Sequence, residues 1–430
     1  MLSKQENELL ERVDKGQPMG ELFRRFWLPA LLKEELPLPD SPPVRVRLLG
    51  EDLVAFRDSD GRVGIVDAFC PHRNAPLFFG RNEESGIRCV YHGWKFDVEG
   101  RCLDMPNCEE GPQFKDRVHL QAYPTLEGAG MVWVYMGPAD KVPPPPGFDW
   151  FGLPDDHVFV TKYFVQCNYL QTLENEFDST HSAFLHRTLN PAYSQSARVI
   201  ATTNPAINMA NRNILAPLNL YDTDYGAASG RVRDDSGTLA LSSHFMMPCF
   251  STAGAVSAAG THPINAKIPV DDLNTVFFRL KWSAQPIQPD VIANWKTANH
   301  EFPEQIPGSY TTKANRTNDY LIDRNLQRFF NYTGMNPYPV QDFAVVENQR
   351  GPLADRSREV LTSSDRYIIH VRRRLAESAK ALMQGQEPPE PWRPEAYAGI
   401  RNFMTVSEEM QSRLRPVYQG IAVEASTTTD

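Results

Sequence analysis

The 430-residue sequence predicts an α+β protein, a small antiparallel β domain followed by a larger domain of mixed helix and strand. Two observations carry that reading. From Val44 the chain breaks into short alternating runs, VRVRLLG, LVAFRD, GRVGIVDAFC, IRCVYH, WKFDVEGRC and GMVWVYMG, separated by turn signals at Asp60-Gly61, Glu99-Gly100 and Gly128 to Gly130. Beyond a proline run at Pro143 to Pro146, a helical stripe emerges at Leu170, Leu173, Phe177, Phe184 and Leu185. The proline run favours extended polyproline geometry and makes a semi-rigid connector. The expected divisions are therefore a helical segment at 1–26, the β domain at 27–146, the larger domain at 147–420 and a flexible tail at 421–430.

Composition narrows the function classes. Hydrophobic residues at 41% and charged residues at 23% are those of a globular protein with full cores. A net charge of -9 leaves no electrostatic footprint for nucleic acid or an anionic membrane. No N-terminal apolar signal and no long apolar run is present, so a cytoplasmic protein is expected. Six cysteines are too few for a disulfide framework, and Cys102, Cys108, Cys167 and Cys249 read as free thiols.

In chain order, residues 5–26 read as two short amphipathic helices broken at Gly16 and Pro18. Within the β domain, Cys70-x-His72 and Cys89-x-x-His92 form two loops, each offering one thiolate and one imidazole, with room for a hairpin between them. Cys2His2 sets hold either zinc or a Rieske [2Fe-2S] cluster, in which two Cys bind one iron and two His the other. A zinc finger usually pairs Cys with Cys, whereas here each loop mixes the two and Gly93-Trp94 follows the second. The order C-x-H…C-x-x-H-G-W resembles the Rieske proteins; structural zinc is the alternative.

The second stretch with chemistry is CNYLQTLENEFDSTHSAFLH, residues 167–186, where Asn175, Asp178, His181 and His186 interrupt the apolar stripe. On a helix Asp178 and His181, three apart, would share a face and hydrogen-bond. His181 and His186 would point about 140° apart on a regular helix, so one metal is shared only if the helix widens or breaks. Two His and a carboxylate with open positions form the facial triad of non-haem iron oxygenases. The alternative is an interior helix whose histidines are satisfied by neighbours. Residues 200–262 read as strands joined by long loops, 265–284 as two strands joined at Asp271-Asp272, and 295–331 has no clear assignment. The helix from Ser364 to Met383 reads as a solvated or subunit-facing surface, basic around Arg372 to Arg374. Of the remaining histidines, His119, His157, His244, His262, His300 and His370, only His244 sits beside an expected pocket loop, and a structural role is the reading for it.

With both motifs in one chain, the sequence resembles the oxygenase component of the phthalate-dioxygenase-like Rieske oxygenases. NELL…PMGELFRRFW, PVRVRLLGEDLVAFRD, CVYHGWKFDVEGRC, TDYG and QDFAVVENQRGP carry the resemblance, and N-x-x-D-x-x-H-x-x-x-x-H matches the family's catalytic motif. The resemblance implies a catalytic domain with a curved antiparallel sheet wrapped around helices. It implies a [2Fe-2S] cluster on Cys70, His72, Cys89 and His92, and a mononuclear Fe(II) on His181, His186 and a late carboxylate. Asp342, which begins an apolar helical run at Phe343, Val345 and Val346 and resembles an acidic residue before a Val-rich segment in the family, is the choice for that ligand, with Glu347 in reserve. Further implications are O2 as co-substrate and NAD(P)H electrons from a separate reductase with flavin and plant-type ferredoxin domains. A homotrimer or stacked hexamer is also implied, with one subunit's cluster linked through Asp178 to the next subunit's His181. The reaction would be cis-dihydroxylation of a small aromatic acid, or monooxygenation or O-demethylation. Dicarboxylate-specific members are expected to place arginines in the pocket loops; here Ala227 and Ala228 follow TDYG, with Arg231 and Arg233 further on. A monocarboxylated or less polar aromatic is therefore expected rather than phthalate itself.

Overall fold

The computed structural model describes residues 2–109, 112–178, 180–189, 218–233, 239–252, 260–297, 301–402 and 404–406. The anticipated tail, the segment 206–217, most of STAGAVSAAGTH and His300 lie outside them. The helices are α1 (Lys4–Glu11), α2 (Pro18–Phe23), α3 (Pro112–Lys115), α4 (Tyr169–Phe177), α5 (Ser182–Leu185), α6 (Pro289–Lys296), α7 (Arg324–Phe329), α8 (Tyr338–Val346) and α9 (Arg366–Met383). The α1 helix starts at a capping box in which Ser3 and Glu6 satisfy each other's backbone donors, and α2 starts with Pro18 at its first position.

The first half builds three small antiparallel sheets. They are β1 (Trp27–Leu32), β11 (Met131–Tyr135) and β10 (Thr125–Gly128); β2 (Val44–Leu48), β3 (Glu51–Arg57), β4 (Val63–Asp67) and β9 (Ala122–Tyr123); and β5 (Arg81–Glu83), β6 (Gly86–Arg88), β7 (Lys95–Phe96) and β8 (Cys102–Asp104). Alternation is visible in β2, where Val46 and Leu48 are buried while Arg45 and Arg47 face out. The hairpin β5–β6 separates the two Cys/His loops, as their spacing allows.

The second half builds one eight-stranded antiparallel sheet from β12 (Val158–Val165), β13 (Leu218–Thr223), β14 (Gly226–Arg233), β15 (Leu239–Met246), β16 (Phe250–Thr252), β17 (His262–Asp271), β18 (Asn274–Trp282) and β19 (Met404–Val406). The turn between β17 and β18 falls at Asp272 and Leu273, where the paired acidic residues lead the sequence to expect it. Opposed residues share a face. Pairing Asn265 with Arg279, Lys267 with Phe277 and Thr161 with Arg279 puts these side chains on the face that meets α4 and α8. The α+β class and the large sheet with helices against it are as the sequence and its resemblance imply.

Two helix expectations are corrected. Asp342 does not begin its helix; α8 starts one turn earlier, at Tyr338 behind Pro337. Arg372 is not a solvated surface residue but is buried, bonding Glu174 and Glu359. Helical periodicity turns Ile368, Val371, Arg372, Leu375 and Ala379 inward together. No helix among the described residues is long and apolar enough to cross a membrane.

Candidate metal centres

The first centre lies between two turns on the small sheets. The Cys70 turn closes through Cys70 N–H donating to Ala75 O (2.9 Å) and Asn74 N–H to Cys70 O (2.9 Å); the Cys89 turn closes through Cys89 N–H to Trp94 O (2.8 Å) and Gly93 N–H to Cys89 O (2.9 Å). Gly93 sits at φ 80°, and a Cβ there would fall 2.7 Å from the Pro106 ring. Both thiols are buried, and the His72 and His92 rings approach to 4.5 Å between centroids. His72 stacks on Trp94 at 4.5 Å, and Trp94 Nε1 donates to Asn107 Oδ1 at 2.7 Å.

The donor set fits a cluster. Burial pushes the Cys70 thiol up to about 11, with Cys89 adding to the rise, so paired thiolates there need metal cations beside them. His72 Nδ1 is buried and has no hydrogen-bond partner among the described residues, an orphan that ligation would satisfy.

At the second centre the helix breaks rather than widens. The α4 helix ends at Phe177 with Asp178 as its C-cap, and α5 is a single turn flanked by His181 and His186. The Asp178 carboxylate does not bond the His181 ring, as one helical face would have had it. Its Oδ1 instead accepts from Thr180 N–H (2.8 Å), the Thr180 hydroxyl (2.8 Å) and His181 N–H (3.2 Å). The ring is held by the Asp178 backbone carbonyl, 2.6 Å from His181 Nδ1. Once the helix ends, that carbonyl has no i+4 donor and is available.

Asp342 comes from the middle of α8. Its Oδ1 lies 3.7 Å from His181 Nε2 and 3.3 Å from His186 Nε2, and the three ligand atoms all lie within 4.8 Å of one another. Asn175 Nδ2 donates to Asp342 Oδ1 at 3.1 Å. Burial raises the Asp342 carboxyl, but His186, with His181 and Asn175, brings it below the usual range; burial lowers His186, and Asp342 lifts it above its ordinary value. Each imidazole has Nδ1 engaged and Nε2 turned to the common point, an arrangement that fits one metal ion. Glu347, the reserve ligand, is spent elsewhere, accepting from Gln166 N–H at 2.7 Å and from the Tyr320 hydroxyl.

Gln341 was missed. Its Oε1 lies 2.8 Å from His186 Nδ1, and its Nε2 donates to Met335 O at 2.9 Å. The signal was a buried amide next to the expected ligand, which a search for charged or metal-binding residues passes over. A cleft of about 580 Å³ reaches this centre from the side of Asn175, Asp178 and His181, with Phe184, Tyr332 and Val345 along its walls. His244 proves structural, with Nδ1 2.7 Å from the Tyr225 hydroxyl and Nε2 3.1 Å from Arg401 O. On β14, Ala227 and Ala228 are buried, while the Arg231 and Arg233 side chains lie outside the description.

Comparison with known proteins agrees with both halves. Residues 26–124 match the Rieske [2Fe-2S] domain and residues 134–406 match the family described as LigXa C-terminal domain like. A phthalate 4,5-dioxygenase oxygenase subunit of Pseudomonas putida is 36% identical over 90% of this chain and 88% of its own length. A 3-chlorobenzoate-3,4-dioxygenase oxygenase subunit of Comamonas testosteroni is 35% identical over 89% and 90%. A 5,5'-dehydrodivanillate O-demethylase oxygenase subunit of a Sphingobium species is 30% identical over 90% and 83%. Among solved structures, Pseudomonas putida CBB5 NdmA, as a mutant with theobromine, shares the fold with a TM-score of 0.59 at 20% identity, covering 91% of this chain and 99% of that one. A cluster-binding domain joined to a domain with a half-buried two-His, one-carboxylate group, matched over about 90% of its length, makes this chain a member of the Rieske non-haem iron oxygenases, as a terminal oxygenase component.

Proposed function

We propose that this oxygenase cis-dihydroxylates an aromatic acid of the benzoate kind, using O2 and NAD(P)H electrons delivered by a separate reductase. The observation that carries the reading is its similarity, over 89–90% of this chain, to two enzymes named for carboxylated benzene rings. When bound, a cluster on Cys70, His72, Cys89 and His92 would supply single electrons, and an iron on His181, His186 and Asp342 would supply O2 activation.

The chain's own residues do the positioning. The Asp178 carbonyl and Gln341 accept from Nδ1–H of His181 and His186 and so fix their tautomers, leaving each unprotonated Nε2 with its lone pair toward the centre. Asn175 occupies one oxygen of Asp342 and so holds the carboxylate in one orientation. Asp178 clamps the backbone at Thr180 and His181, which sets where His181 starts. In the trimer we propose, the cleft beside Asp178 receives the neighbouring subunit's cluster loops, whose Val90 and Tyr91 are exposed. Exposed Phe184, Tyr332 and Val345 around the cleft are the matching apolar surface.

A second reading, monooxygenation or O-demethylation with the same metals, is favoured by the similarity to the O-demethylase subunit. Substrate-stimulated O2 uptake with a surrogate reductase, screened over benzoates and phthalates, tests the first reading. Labelling with oxygen-18 separates the two, since both atoms enter a diol and only one enters the other products. Iron content of one atom or fewer per chain, or no O2 uptake with any aromatic acid, overturns the proposal.

A further inference from the structure

The sheet face that meets α4 and α8 carries three buried cations, Lys267 on β17 and Arg279 and Lys281 on β18. Two of them have carboxylate partners. Lys267 Nζ lies 2.7 Å from Glu176 Oε1, and Lys281 is ion-paired with Glu301. Arg279 differs. One of its terminal nitrogens donates to the Tyr338 hydroxyl, its Nε has no hydrogen-bond partner among the described residues, and its side chain forms no salt bridge with any of them. A phenol is neutral at pH 7, so Tyr338 accepts a hydrogen bond without cancelling the guanidinium charge. Glu301, already ion-paired with Lys281, acts on Arg279 electrostatically but from beyond salt-bridge distance. A buried, permanently charged guanidinium with an idle donor is costly unless something anionic arrives to pair with it.

Its position says where that anion would sit. The Arg279 guanidinium lies 5.3 Å from the centroid of the Tyr338 ring, and the same ring lies 5.4 Å from that of His186, one of the metal-site imidazoles. Arg279 is thus about one aromatic ring away from the centre. On either side of Arg279 lie apolar and aromatic side chains, with Tyr163, Phe277 and Phe343 in one cluster and Phe159, Trp295 and Phe302 in the other. Aromatic neighbours beside a cation without a salt bridge are the chemistry that suits a flat ring with a single charged end.

We propose that Arg279 is the specificity residue for the aromatic substrate, pairing with its carboxylate and so deciding which ring carbons face the metal centre. One unpaired cation against two paired ones matches a monocarboxylated ring, in keeping with the absence of arginine directly after the TDYG turn. The inference rests on the aromatic-acid reading above.

The test is anaerobic calorimetric titration of the metal-loaded enzyme with 3-chlorobenzoate and with its neutral amide, 3-chlorobenzamide. The wild type is expected to prefer the acid by about 100-fold, the scale of a buried charge-assisted pair. Arg279→Gln should lose about 100-fold in affinity for the acid with little change for the amide, and Arg279→Lys should recover part of the loss. In steady-state turnover the effect should fall on KM more than on kcat. The inference is overturned if the wild type binds acid and amide equally or does not bind the acid, a result that needs no variant to fold. It is also overturned if Arg279→Gln keeps its metals and its affinity for the acid. Turnover of an aromatic acid by the wild type together with an unaffected Arg279→Gln removes Arg279 alone; no turnover of any aromatic acid removes the function proposal itself.

Discussion

Gln341 and His244 show two uses of a buried polar contact. Gln341 holds the His186 ring by Nδ1, so Gln341→Leu frees the ring to rotate and swap tautomers. Loss of such a partner typically costs 10- to 100-fold in metal affinity. The expected outcome is faster iron loss to a chelator than in the wild type, with the cluster spectrum intact. His244 is held neutral, accepting from Tyr225 at Nδ1 and donating to Arg401 O from Nε2. Burial pushes it down to about 4, against about 6.5 when unfolded. Above pH 6.5 the residue is neutral in both states and costs nothing. Between pH 6.5 and 4 the unfolded chain takes up a proton that the folded chain refuses, so stability falls with pH by up to about 3 kcal/mol and levels off below 4. Urea unfolding from pH 7 to 4.5 should therefore show a steeper loss in the wild type than in His244→Gln.

Among the elements, the joint between α1, α4 and α9 is held by a buried charge network. Arg356, fully buried, bonds Glu11 of α1 and Glu174 of α4, while Arg372 of α9 bonds Glu174 and Glu359. Because α4 also carries Asn175 and leads directly to Asp178 and His181, this joint sets where the metal-binding break begins. Arg356→Met leaves Glu11 and Glu174 facing each other in the core, and removing one partner of a buried pair costs about 3–5 kcal/mol. Denaturant unfolding at pH 7 is expected to show that loss; an unchanged midpoint would mean the two carboxylates take up protons at little cost. At the first centre, Gly93→Ala adds a Cβ at positive φ against Pro106 and is expected to reduce or abolish the reduced-cluster spectrum while the β domain stays folded.

The whole molecule is expected to act through its neighbours. If electrons cross between subunits, Cys89→Ser and His181→Ala enzymes should each be inactive, while hybrids assembled from both should regain turnover in those sites where an intact cluster loop meets an intact iron site. Hybrids without turnover would place the electron path within one chain. Asp178→Asn bears on the same route. An amide oxygen can still accept from Thr180 and His181, so both metals should stay bound while turnover nearly vanishes. Full activity would remove the Asp178 carboxylate from the path.

The two Cys/His loops, the two-His motif and the late carboxylate could be read from the chain because each is a short pattern of residue types that few other chemistries need. The small antiparallel sheets were equally readable, since strand alternation is local and repeats every two residues. The Arg372 surface reading failed because a basic run looks solvated until Glu174 and Glu359, far away in sequence, are brought against it. The reading of Asp178 failed at one bond for a related reason. Sequence spacing assumed a continuous helix, whereas the chain ends that helix at Phe177 and offers His181 a backbone carbonyl instead. The sequence by itself therefore determined the class of fold and which thiols, imidazoles and carboxylate the fold gathers at two points. Only the tertiary structure decided which atom orients each imidazole, that Gln341 and Asn175 support the site, and that Arg279 has no salt bridge among the described residues, because each depends on where a helix ends or on groups far apart in the chain meeting out of water.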